Sequence, residues 1–157
     1  MKTIKGPGIF LAQFVRETQP YNTIEGLADW VSSMGYKGVQ VPSWESGLFD
    51  LEKAASSKDY CDEFRGTLAD RGLTLIELGS YLQGQVLAFH PAYAAGFQAF
   101  HPEGLSGNEV TEWATKQLTM SVDASVNLGT TNISTMSGGF AWHMIYPWPQ
   151  RPAGLID

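Results

Sequence analysis

Two glutamines, Gln83 and Gln85, stand two residues apart in the stretch SYLQGQVLAFHPAY, with His90 close behind. An amide side chain donates and accepts hydrogen bonds without net charge, which suits recognition of sugar hydroxyls. The same amides equally well tie down the backbone of a long loop. His90 can shuttle a proton or take an open metal position, as can His143 and, later in the same loop as His90, His101; a lone loop histidine is more often solvated or held by a neighbouring carbonyl. Trp44 and Trp142 offer flat apolar faces for a sugar ring, or fill packing space, and Trp148, between Pro147 and Pro149, reads as packing. Glu77 sits near the end of the run LTLIELG with the parity of Leu73 and Leu75, where burial can raise a carboxyl into the range of an acid–base catalyst; a salt bridge fits that position as well. Ser137-Gly138-Gly139 can present backbone N–H groups to a phosphate, or serve as an ordinary turn. No H-x-H, H-x-x-x-H or carboxylate cluster has metal-ligand spacing, so a complete metal site within this chain is not expected.

Those residues need elements to hold them. GIFLAQF (Gly8 to Phe14) is apolar on both parities and predicts a strand buried on both faces. Asn22, with Glu25 three residues on, resembles a capping box, and Ile24, Leu27, Ala28, Val31 and Met34 follow at helical spacing with Gly35 as the stop. GVQVPSW (Gly38 to Trp44) predicts a second strand. Lys58 to Arg71 predicts a helix, with Tyr60, Phe64 and Leu68 spaced by four and Gly72 after it. Leu73 to Gly79 is the third strand, and a long connection leads to a helix from about Asn108 to Leu128, closed by Gly129. Thr131 to Met136 is the fourth and least strand-like run.

Strands separated by helices predict parallel pairing through right-handed crossovers. Two α/β architectures fit: an open doubly wound sheet, or the first four units of a (β/α)8 barrel. The connections after the four strands are long or aromatic, whereas those after the helices are curt (GYKG, RG and G). That asymmetry favours a single working rim.

Of the 157 residues, 43% are hydrophobic and 17% charged, a globular composition rather than a disordered one. The net charge of −6, without a Lys/Arg cluster, weighs against nucleic-acid and anionic-lipid surfaces. Cys61 is the single cysteine, which fits a reducing compartment. No run approaches the roughly 20 apolar residues of a membrane span, and Pro7 and Gly8 interrupt the apolar N-terminal stretch before it reaches the length of an export signal. A cytoplasmic location is the expectation.

LQGQ (Leu82 to Gln85), HPAY (His90 to Tyr93) and YPWPQRPAGLI (Tyr146 to Ile156), with GYKGVQVPSW, LFDLEKAA and YCDEFRGTLADRGL, resemble the sugar phosphate isomerase/epimerase group of xylose-isomerase-like barrels. The resemblance runs over nearly the whole chain. It implies that residues 1–157 are the N-terminal half of such a barrel, ending as the fourth helix begins. It implies a sugar or sugar phosphate as the small-molecule partner, with Trp44, Gln83, Gln85, His90 and Trp142 in the binding wall. It also implies a divalent metal, held in this group by residues of strands five to eight. No ligand therefore carries over to this chain, catalytic residues stay unassigned, and the chain alone is expected to be inactive. The group often has His where this chain has Tyr81, a weaker base with an ordinary pKa of about 10. A half-barrel binding or scaffolding module, completed by homodimerisation or by a separate C-terminal partner, is the alternative, since strands one and four would be open edges. The phosphodiester-cleaving branch of the superfamily acts on DNA, which the acidic balance disfavours.

Overall fold

A computed structural model describes residues 5–141. The chain divides into two compact units, Met1–Gly79 with Met120–Ser134, and Ser80–Thr119 with Thr135–Asp157. Four strands, β1 (Gly8–Phe10), β2 (Gly38–Pro42), β3 (Thr74–Ser80) and β4 (Ile133–Thr135), form one open, all-parallel sheet in the order β1-β2-β3-β4. A doubly wound sheet reverses its strand order at a switch point. This sheet does not, and right-handed crossovers between sequential neighbours stack their helices on one face.

The first unit shows that one-sidedness in its core. Ile9, Leu11, Val39, Val41 and Leu78 share one apolar cluster with residues of four helices, among them Leu51 and Ala54 of the short helix Leu51–Ser56. Helix α1 (Ile24–Ser33) contributes Ile24, Ala28 and Val31; α3 (Lys58–Ala69) contributes Cys61, Phe64 and Leu68; and the last turns of α6 (Asn108–Leu128) contribute Ala124 and Leu128. Each fully buried Val, Leu or Phe in such a cluster stabilises the fold by about 1.5–3 kcal/mol relative to exposure.

Strand β1 is shorter than the apolar run suggests, because Leu11 turns into the helical region and Ala12–Phe14 winds into a 3-10 turn. The cap of α1 is Thr23, not Asn22: Thr23 is extended, and its Oγ1 accepts from the Gly26 N–H at 3.1 Å. Asn22 instead donates its side-chain amide to the Glu17 carbonyl at 3.3 Å. Met34, expected on the packing face, is 46% exposed.

A short helix, α2 (Leu51–Ser56), precedes α3 and has no counterpart in the sequence reading. Asp50 caps it, accepting from the Lys53 N–H at 3.0 Å. Ser57 then ends α2 and caps α3 with its own hydroxyl, which accepts from the Tyr60 N–H at 3.2 Å. The Asn127 side-chain amide donates to the carbonyls of Ala54 and Ala55 at 2.8 and 3.1 Å, satisfying acceptors that the end of α2 leaves open.

Register is the decisive feature of the sheet. Gly8 pairs with Gly38 and Phe10 with Gln40 across β1 and β2. Between β2 and β3, Val39 pairs with Leu75 but Gln40 pairs with Glu77, so Ile76 is the extra residue of a β-bulge. The Ile76 side chain lies over both Gly8 and Gly38: a Cβ added at either glycine would sit 2.6 or 2.7 Å from it.

The second unit is built around Val86, Tyr93, Phe97, Val110 and Ala114. It contains α4 (Tyr81–Gln85), α5 (Ala94–Phe97), short 3-10 turns and the N-terminal part of α6. Phe97 packs between Phe89 and Phe100, with ring centroids 5.1 and 5.8 Å away. Before α6 the Ser106 N–H donates to Glu109 Oε2 at 3.1 Å, and the Glu109 N–H donates to the Ser106 carbonyl at 3.0 Å. The Glu109 carboxylate thus reaches back to the Ser106 N–H as in one half of a capping box, while the return bond runs between backbone groups. Gly138, at φ +67, brings its backbone close to Ala88, where the Gly139 N–H donates to the Ala88 carbonyl at 2.7 Å.

Gly38→Ala should destabilise the chain by about 1–3 kcal/mol through overpacking against Ile76, and Ile76→Ala in the same chain should recover part of the loss; urea unfolding of the two single variants and the double variant measures the coupling. The Lys53 backbone N–H holds the Asp50 carboxyl below its ordinary value, with burial opposing and the Lys53 ammonium assisting. Its contribution is therefore complete above the ordinary Asp pKa of about 3.9 and fades as pH falls through the lower folded value. Asp50→Ala should cost about 1 kcal/mol at pH 6, and the gap to the parent should narrow below about pH 4, as followed by urea midpoints across that range.

Candidate functional site

On the sheet face away from the helix-packed core, Phe10, Gln40 and Glu77 occupy neighbouring register positions on β1, β2 and β3. All three are half-buried. The Gln40 side-chain amide donates to Glu77 Oε1. At the end of β2 the buried Ser43 donates its N–H to the Gly79 carbonyl at 2.8 Å, which holds the start of the following loop against β3. The next residue, Trp44, meets Phe10 edge to face with centroids 6.1 Å apart. An amide–carboxylate pair beside two aromatic rings offers donors, acceptors and a stacking surface of the kind a polyol needs.

Glu77 does not share a face with Leu75, as simple alternation implies. The bulge at Ile76 sends Glu77 to the side of Gln40, while Leu75 packs against the apolar core. Gln40 escaped the sequence reading. The signal was there: it is the one polar residue between Val39 and Val41, both fully buried, and so takes the opposite face.

Gln83 and Gln85 belong to the second unit, on α4 rather than on an extended loop. A spacing of two sets side chains about 200° apart around a helix, so the two amides do not project side by side. Gln83 is 1% exposed and Gln85 half-buried. His90 is exposed; its Nδ1 accepts from the Ala92 N–H at 3.2 Å, capping the turn Pro91–Tyr93, and its ring stands edge-on to Tyr93. With Nδ1 as acceptor, the neutral ring carries its proton on Nε2. In the Ser137-Gly138-Gly139 segment, the Gly139 N–H is engaged by Ala88, so that amide serves the fold. Trp142, His143 and Trp148 lie outside the described residues.

No family model matches the chain, and no curated protein matches it.

Among the described residues no group of three or more His, Cys, Asp or Glu side chains is placed to hold a metal ion, so the divalent metal implied by the sequence resemblance finds no fitting donor set there. No described helix is long and apolar enough to cross a membrane. The one thiol, Cys61, is fully buried in α3 with its Sγ 3.4 Å from the Ala54 carbonyl, and burial pushes its pKa up, the Asp62 charge adding to this. A thiol so placed is a poor nucleophile. Under native conditions Cys61 should react with a disulfide reagent at least about a hundredfold more slowly than in urea, since reaction requires opening of the core; equal rates would contradict its burial.

Proposed function

We propose that this chain forms four units of a (β/α)8-type barrel and supplies a substrate-binding wall of a sugar or sugar-phosphate isomerase or epimerase. The observation that carries the reading is the division of the sheet in the first unit. Sequential parallel strands have their crossover helices packed on one face, while the other face holds the Gln40–Glu77 pair beside Phe10 and Trp44. A barrel built from such units turns its helix-free face inward, and ligands approach from the C-terminal ends of the strands. Trp44, directly after β2, stands at that end.

In this reading Trp44 stacks on the apolar side of a sugar ring, and Gln40 fixes the carboxylate of Glu77 in one orientation. Glu77 then accepts hydrogen bonds from vicinal hydroxyls, and is the group suited to take up a proton at an adjacent carbon. Gln40, Glu77 and Trp44 hold and orient the sugar.

Saturation-transfer NMR with a panel of ketoses, aldoses and their phosphates tests the assignment. Binding of at least one member should weaken by about tenfold in Trp44→Ala and by about three- to tenfold in Glu77→Gln, the range of one stacking contact or one charge-assisted hydrogen bond. Binding unchanged in both variants, or none for any sugar, would remove the reading.

A further inference from the structure

The second unit contains a cavity of about 470 Å³ that the sugar reading does not use. Its walls are mainly apolar: Leu87, Phe89 and Pro91 from the segment after α4, Leu105 before α6, and Val110 from its first turn. Phe140 also lines it and is 66% exposed, one of the few large apolar side chains of the described residues left open to water. A volume of this size suits a ligand of small-molecule dimensions. Covering Phe140 and its neighbours would remove apolar surface from water, which drives binding.

The polar groups around the cavity narrow the chemistry. The Ser106 N–H and hydroxyl both face Glu109 Oε2, at 3.1 and 3.4 Å. The Thr111 hydroxyl donates to the Leu87 carbonyl at 3.4 Å. His101 Nδ1 lies 2.9 Å from the Pro102 carbonyl oxygen. A carbonyl can only accept, so Nδ1 carries the proton and the neutral ring is left with Nε2 as its acceptor. Three of the polar side chains that line the cavity thus already have partners within the fold. What remains is a mainly apolar chamber with His101 Nε2 as the acceptor whose proton state the fold fixes, and with the amides of the exposed Gln98 and Asn108 also on its wall; that chemistry suits an aromatic ring carrying one donor.

We propose that this cavity binds a small, neutral aromatic molecule bearing one hydroxyl or N–H donor, its ring between Phe89, Leu105 and Val110 and its donor on His101 Nε2. The site belongs wholly to the second unit and does not depend on the sugar reading.

The test is a fluorescence titration of the full chain with 2-naphthol, with naphthalene as the partner lacking the donor. Saturable binding of 2-naphthol at one site is expected. Ala95→Trp, at an exposed α5 position that lines the cavity, should fill the chamber and weaken 2-naphthol by at least about tenfold. His101→Phe should weaken 2-naphthol by about three- to tenfold while leaving naphthalene within about twofold, since one hydrogen bond is lost and the apolar wall is kept. Amide shifts of Leu105, Asn108 and Thr111 in the parent chain should move on addition of 2-naphthol, a readout independent of any variant. No saturable binding, or shifts confined to other residues, would overturn the site; full affinity in Ala95→Trp would do the same. Equal losses for both probes in His101→Phe would overturn the donor assignment.

Discussion

Between Val39 and Gln40 the ladder of β2 slips by one residue against β3, and both faces of the sheet follow from that slip. With regular alternation Glu77 would share the side of Leu75, among Leu73, Phe64 and the other residues of the apolar core. A carboxylate there would be held without water, at a desolvation penalty of several kcal/mol. The extra residue, Ile76, turns Glu77 to the opposite side, where the Gln40 amide meets it. Ile76 itself then covers Gly8 and Gly38, and only the absence of a Cβ at both glycines lets it lie so close. The bulge, the two glycines and the amide–carboxylate pair form one device.

That device separates two physical environments within a few ångströms. On one side are closely packed helices and apolar strand residues, stiffened by the caps of Thr23, Asp50 and Ser57. On the other are half-buried polar and aromatic residues whose geometry is inherited from the register of the strands rather than from a flexible loop. Groups meant to hold a ligand in one orientation gain from such rigid support. The cavity of the second unit has the opposite character, a mainly apolar chamber in which the hydroxyls of Ser106 and Thr111 bond to the fold itself.

The alternation of elements was legible because each helix carried its own signals. The 3.6-residue spacing of Ile24, Leu27, Ala28 and Val31, and Gly35, Gly72 and Gly129 at left-handed φ, mark α1, α3 and α6 without tertiary information. Helix α2 was not legible, since six residues with only Leu51 and Ala54 buried are too few to display a period. Glu77 drew notice as a carboxylate at a strand end, yet its side of the sheet depends on a bulge that no local pattern announces. Gln83 and Gln85 looked like a pair because a loop was assumed between Ser80 and His90; winding into α4 parts them. Gln40 was readable from the alternation of β2, and was passed over because amides inside apolar runs are easily taken for structural filler.

The carboxamide of Asn127 reaches back 73 positions along the chain to Ala54 and 72 to Ala55. During synthesis the α2–α3 corner therefore emerges long before the group that neutralises its open carbonyls. Until α6 is complete and docked, the Ala55 carbonyl lacks the Asn127 amide and the Ala54 carbonyl has only the weak Cys61 thiol as donor, and the corner remains a provisional structure. Closing so long a loop is entropically slow, so consolidation of the first unit waits on a residue near the far end of the longest helix.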